Sequence, residues 1–292
     1  MNRINALFDL TTWPEWLRKV NDFGFDFNKL NVLIGLVIFG SLILYFIYHA
    51  RRGKELFVRR IPGLERVEEA LGRATELGKS ILYISGIGGE ADVQTIAAMN
   101  ILGNIAEQVA HYDTDLLVPC INPIVMTIEQ ELVKQGYIRA GRPENYRESS
   151  VYFLSDQQFA YAAAVSGIMV REKPAANFLM GSFAAESLIL AESGASTGAI
   201  QIAGTASPSQ IPFFIVACDY TLIGEELFAA GAYMSREPLL LGSLKGQDIA
   251  KFLIMILIAI GILLISIEAF FPKTFDLGTL FIRFFDLETF KS

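Results

Sequence analysis

The stretch Gly86-Ile87-Gly88-Gly89-Glu90-Ala91-Asp92 follows an apolar run, SILYIS, and opens a long helical pattern. A glycine turn between a strand and a helix can offer free backbone N–H groups and the positive end of a helix dipole to an anion. GIGGEA misses the dinucleotide pattern G-x-G-x-x-G at its last position, where Ala91 stands, and it lacks the Lys-Ser/Thr of a triphosphate loop. Glu90 and Asp92 repel a phosphate while stabilising the helix dipole themselves. No acidic residue closes a following strand about 20 residues on to hold a ribose hydroxyl. The turn therefore reads first as a structural strand-to-helix connection, second as a site for a small anionic ligand, and last as a dinucleotide site.

Ligands of open α/β sheets sit beyond the carboxyl ends of the strands. The residues expected there are Gly86, Gly88, Gly89, Asp92, Asn122, Ser155, Asp156, Gly204, Thr205 and Asp219, which could line a polar crevice. Asn122, Ser155 and Asp219 also look like helix caps. Catalytic groupings are sparse. The two histidines, His49 and His111, do not make a triad or a multi-histidine metal site, and no G-x-S-x-G elbow occurs. Glu129 and Glu131 are expected to be solvated, and Glu225 and Glu226 to partner a helix dipole. Cys120 and Cys218 lie 98 positions apart, outside any zinc or redox spacing, and read as small buried hydrophobes. No catalytic residue, metal site or cofactor is indicated.

Short apolar runs alternate with helical periodicity between residues 63 and 235. LERVEEALGRATELG is a helix ending at Gly78, and SILYIS, DLLVPC and SVYFLS are strands. Asp92–His111 is helical, with Val93, Ile96, Ala97, Ile101, Ile105 and Val109 at three-to-four spacing. NPIVMTIEQELVKQGY is a helix with Asn122 as N-cap and Pro123 in its first turn. Ser155 and Gln158 have capping-box spacing. Phe178–Glu192 is expected to be helical, GAIQIAG and IPFFIVAC to be strands, and TLIGEELFAAGAYMS to be the last helix. The alternation predicts an α/β domain, Rossmann-like, with a largely parallel sheet whose strand order is not readable.

Two runs without charge flank this domain. Leu30–Tyr48 has 19 residues without Asp, Glu, Lys or Arg, and Phe252–Ile267 is a second such run. Both suit a bilayer crossing. The composition agrees, with 52% hydrophobic and 19% charged residues, and the net charge of −7 argues against nucleic acid as a partner. Arg51, Arg52, Lys54, Arg59 and Arg60 cluster after the first run and place the domain in the cytoplasm with both termini outside. The expected organisation is an amphipathic interfacial segment at 1–29, a span at 30–49, the cytoplasmic α/β domain at 50–248, a span at 249–271 and an amphipathic tail at 272–292.

Ala, Ser and Gly concentrate in AYAAAVSG, GSFAAES, AESGASTGAIQIAGTAS and AAGAY, which suits close helix or subunit contacts. The phrases VREKPAANFLMG, STGAIQIAGT, ACDYTLIGEEL and SREPLLLGSLKGQD resemble an uncharacterised bacterial family of membrane proteins, a domain of unknown function. The likeness runs from Gly53 to Ile267. It implies a two-span protein of the bacterial inner membrane and supplies no activity. Three classes of function fit: a homo-oligomeric scaffold at the cytoplasmic face of the bilayer, a ligand-sensing or enzymatic domain for a small anion, and a channel or transporter subunit. The last is weakened because neither apolar run has an internal ionisable residue.

Overall fold

The computed structural model describes residues 30–52, 62–235 and 238–270. The amphipathic segments expected at 1–29 and 272–292 lie outside these residues. The chain divides into two compact units, Phe57–Leu240 and the pair Met1–Leu56 with Leu241–Ser292.

The first unit is a three-layer α/β sandwich. Its elements are α2 (Pro62–Leu77), β1 (Ile81–Gly86), α3 (Val93–Tyr112), β2 (Leu116–Cys120), α4 (Pro123–Arg139), β3 (Val151–Phe153), α5 (Gln158–Glu172), β4 (Ala176–Ser182), α6 (Glu186–Thr197), β5 (Ile200–Thr205), α7 (Ile211–Ala217), β6 (Tyr220–Ile223) and α8 (Glu225–Ser235). The six strands form one sheet in the order β3-β2-β1-β4-β5-β6, and every neighbouring pair is parallel. This is the order of doubly wound nucleotide-binding sheets, with the switch point between β1 and β4.

Both faces of the sheet are covered, so the strands are apolar throughout instead of alternating with polar residues. Along β1, Ile81 and Tyr83 join the core under α2, α3, α4 and α8, while Leu82 and Ile84 join the core under α5, α6 and α7. Tyr83 still satisfies its hydroxyl by donating to Ala98 O at 2.6 Å. At the carboxyl ends of β1 and β4 the backbones nearly touch. Gly86 has φ +80°, and a methyl group there would lie 2.2 Å from Ser182 O. Gly181 has φ +115°, and a methyl group there would lie 2.5 Å from Ser85 O. The pairing runs on past β1, with Ile87 N donating to Ser182 O at 2.8 Å.

Three expectations are corrected. Residues 178–192 are not one helix: 176–182 form β4, and α6 starts only at Glu186. A short apolar run buried on both sides has no period to separate strand from helix. IPFFIVAC is the short helix α7 with Pro212 in its first turn, and its length suffices to return the chain from β5 to the parallel β6. TLIGEEL is not wholly helical, because Tyr220–Ile223 is that sixth strand.

The second unit holds α1 (Leu30–Arg51) and most of α9 (Pro238–Phe270). Both are long and apolar enough to cross a bilayer. At 22 and 33 residues they extend about 33 Å and about 50 Å. The segment expected to lead into the second run is therefore continuous with it. Gly242 and Gly246, four residues apart, let α9 meet α1 backbone to backbone. A methyl group at either would lie 2.7 or 2.8 Å from the Cα of Ile47 or Ile43. Such small-residue faces are how helices associate where no hydrophobic drive exists between them.

The glycines make opposite predictions. Gly86→Ala should destabilise the α/β unit by about 2 kcal/mol or more, from positive φ and a backbone clash. Gly72→Ala, in the middle of α2 with nothing within 4 Å, should stabilise it by up to about 1 kcal/mol. Thermal unfolding of the two variants beside the parent chain checks both signs.

Candidate functional site

In a sheet of this order the natural ligand seat lies at the carboxyl ends of β1 and β4, where the following connections leave for opposite faces. Gly86, Gly88, Gly89, Asp92, Asn122, Ser155, Asp156 and Thr205 all lie at that edge of the sheet, as does Gly204 near the end of β5. Asp219 does not. It precedes β6 at the opposite edge, where its Oδ2 accepts from Gln201 N at 2.7 Å. Reading α7 as a strand reverses the chain direction at this point and puts Asp219 at the wrong end.

The glycine turn is occupied by the protein's own side chains. Asp92 caps α3, accepting at Oδ2 from Thr95 N and from Thr95 Oγ1, both at 2.9 Å. The two side chains lie over Gly88, where a methyl group would come within 2.1 Å of Thr95 Oγ1 and 2.7 Å of Asp92 Oδ2. A phosphate at this helix end would face the Asp92 carboxylate at close range. One residue on, Gln94 ties α3 to the end of β5. Its Oε1 accepts from Thr205 Oγ1 at 3.1 Å and from Ala206 N at 2.6 Å, and its Nε2 donates to Ser207 Oγ at 3.3 Å.

The rest of the edge is similarly satisfied. Asn122 caps α4, its Oδ1 accepting from Ile124 N at 2.8 Å. Ser155 is not part of a capping box: its Oγ accepts from Gln157 N at 3.1 Å, and Gln157 occupies the N-cap of α5 without a side-chain bond. After β4, the buried Glu186 accepts from Ala184 N at 2.8 Å and from the Gln158 amide. The candidate residues therefore share one edge but form separate local networks. Gly89 and Asn122 do lie close, a methyl group at Gly89 coming 4.0 Å from Asn122 Nδ2.

Sequence reasoning missed Glu129. It is fully buried on α4, not solvated, and Cys120 at the end of β2 donates its thiol to Oε2 at 2.9 Å. Its other oxygen, Oε1, has no hydrogen-bond partner among the described residues. Burial pushes the Glu129 carboxyl up to about 7, against the opposing pull of Cys120 and, more weakly, Ser85. The same burial, with the Glu129 charge, raises the Cys120 thiol and the Tyr83 phenol. Burial and the neighbouring Asp219 push Cys218 up to about 12. Neither thiol is poised as a nucleophile. The missed signal lay in the spacing: Val125, Glu129 and Val133 are four apart on one buried stripe of α4.

Both long helices and all six strands fall within a single sequence family. The chain belongs to the family described as a domain of unknown function, DUF6754, whose sequence model matches residues 20–275. No curated protein and no solved structure matches the chain. Family membership thus carries the architecture and assigns no chemistry.

Glu129 makes the α/β unit pH-sensitive. Its carboxyl holds a proton more tightly in the folded chain than in the unfolded one, where the ordinary value is 4.5. The stabilisation is fully present below about pH 4.5 and is lost as the pH rises through about 7. The full change is about 3 kcal/mol. Melting temperature measured from pH 5 to pH 8 should fall, and Glu129→Gln should flatten that fall and melt higher than the parent at pH 8.

Proposed function

We propose that this protein is a membrane-anchored α/β interaction module that self-assembles into a homo-oligomeric scaffold at the cytoplasmic face of the bacterial inner membrane. The observation that carries the reading is the state of the carboxyl edge. Its polar groups are engaged with one another, while large apolar side chains on the same edge face solvent: Val93 is 63% exposed, Ile124 56% and Phe159 61%. Exposed apolar surface of this kind marks sites of association more often than catalysis.

The two apolar helices supply the anchor, and the Arg51, Arg52, Lys54, Arg59 and Arg60 cluster supports the cytoplasmic orientation. Anchoring each copy twice in one plane restricts its orientation and raises the local concentration for association. The organising role follows from geometry alone, since many domains held in parallel in a bilayer present one repeated surface.

Four measurements test the reading. The chain should resist carbonate extraction, and native mass spectrometry after mild solubilisation should show one uniform complex; a monomer there rejects the scaffold. A maleimide reagent that does not cross membranes should modify Lys79→Cys only after permeabilisation; modification of intact cells reverses the orientation. Adenine nucleotides at millimolar concentration should leave the melting temperature unchanged. A rise that grows with nucleotide concentration would favour the ligand-sensing alternative.

A further inference from the structure

The cations of the α/β unit are kept away from the carboxyl ends of the strands. The six segments that follow the strands at the carboxyl edge (87–96, 121–128, 154–161, 183–190, 206–213 and 224–228) contain no Lys, Arg or His. The acidic residues there include Glu90, Asp92, Asp156, Glu225 and Glu226. The opposite edge mixes both signs, with Lys79, His111, Arg139, Arg142, Arg147, Arg171 and Lys173 beside Asp113, Asp115, Glu144, Glu148, Glu172 and Asp219. An edge that binds phosphate or nucleic acid gathers cations, and this edge excludes them.

Exposed apolar side chains stand among these acids, as they also do at the opposite edge at Leu77, Ile138, Val170 and Val216. Val93 and Ile96 stand on the first turn of α3, Ile124 and Ile128 on the first two turns of α4, and Phe159 at the start of α5, all facing solvent. An occupant complementary to this surface is apolar and cationic. One segment of the chain has that composition. Residues 51–60, RRGKELFVRR, place Leu56, Phe57 and Val58 between Arg51, Arg52 and Lys54 on one side and Arg59 and Arg60 on the other.

We propose that the carboxyl edge of one copy docks the basic segment 51–60 of a neighbouring copy. The proposal rests on the self-assembly reading and specifies its contact. Docked on its own domain, the segment would consume the surface and hold no copies together. Docked on a neighbour, it makes a heterologous contact that can repeat until a ring closes. Phe57 and its apolar neighbours would lie against Val93, Ile124 and Phe159, and Arg59 and Arg60 near Glu90 and Asp156.

Disulfide trapping in native membranes tests the arrangement with the full chain. In a Cys218→Ser background, copies bearing Arg59→Cys and copies bearing Asp156→Cys, each with its own tag, are co-expressed and oxidised. A reducible dimer carrying both tags is the expected product. No mixed dimer, or cross-linking only within a chain that bears both substitutions, overturns the proposal.

Charge reversal supplies an independent arm. Glu90→Lys with Asp156→Lys should abolish the high-mass species in native mass spectrometry, and adding Arg59→Glu with Arg60→Glu should restore it. Both acids are exposed, and an unchanged melting temperature confirms that the variants fold. A complex that survives reversal rejects this contact and leaves self-assembly standing. A monomeric parent chain rejects both.

Discussion

The contact between β1 and β4 at the centre of the sheet governs what the rest of the domain can do. Gly86 and Gly181 each leave room for a carbonyl of the opposite strand, Ser182 O in one case and Ser85 O in the other. A side chain at either position would clash with the opposite backbone. Here the pairing runs one residue beyond β1. The chain then reaches α3 through a turn so tight that Asp92 and Thr95 fold back over Gly88. With α3 held close, Gln94 reaches the end of β5 and bonds Thr205, Ala206 and Ser207. The tight turn after β1 and the Gln94 bonds to the end of β5 accompany the close approach of β1 and β4 at two glycines with positive φ.

That feature separates strand order from chemistry. The order β3-β2-β1-β4-β5-β6 is shared with dinucleotide-binding sheets because two right-handed halves wound from a central strand produce it. Binding a phosphate also needs unclaimed N–H groups and a backbone open to the ligand. In this chain Asp92 takes Thr95 N, and Gln94 is bonded to Thr205, Ala206 and Ser207. A shared fold hosts unrelated functions for this reason.

Much of the architecture was legible where periodicity and caps agree. The stripe Ala97, Ile101, Ile105, Val109 of α3, the Asn122-Pro123 start of α4 and Gly78 after α2, at φ +61°, each state a local rule that the fold obeys. The reading failed where burial on both sides erases the period. Phe178 and Met180 on one side of β4 and Leu179 on the other are all fully buried, so ANFLMGS has no polar face to announce a strand. IPFFIVA failed in the opposite sense, since only Phe214 of that helix is buried. The site was less legible than the fold. Nine of the proposed crevice residues do share an edge, but an edge is a topological fact, and whether polar groups face one another or a ligand depends on side-chain reach that spacing does not contain. Glu129 shows the converse: a charge on an apolar stripe, dismissed as solvated, is the one carboxylate here that geometry places beside a thiol in the core.

Helix dipoles sharpen the meaning of the missing cations at the carboxyl edge. In a parallel sheet every helix that follows a strand points its positive end at the carboxyl edge, so several partial positive charges accumulate there. Glu90, Asp92, Glu225 and Glu226 lie in or just before first turns and offset that field. The edge is then electrostatically quiet to small anions while its outermost carboxylates remain exposed, and apolar side chains fill the space between them. A partner gains little from a single charge in such a setting, because an exposed ion pair contributes no more than about 1 kcal/mol. It gains from burying aromatic and aliphatic surface, with the charges selecting register and excluding competitors. A segment with three apolar residues between basic clusters, as proposed for residues 51–60, meets both requirements.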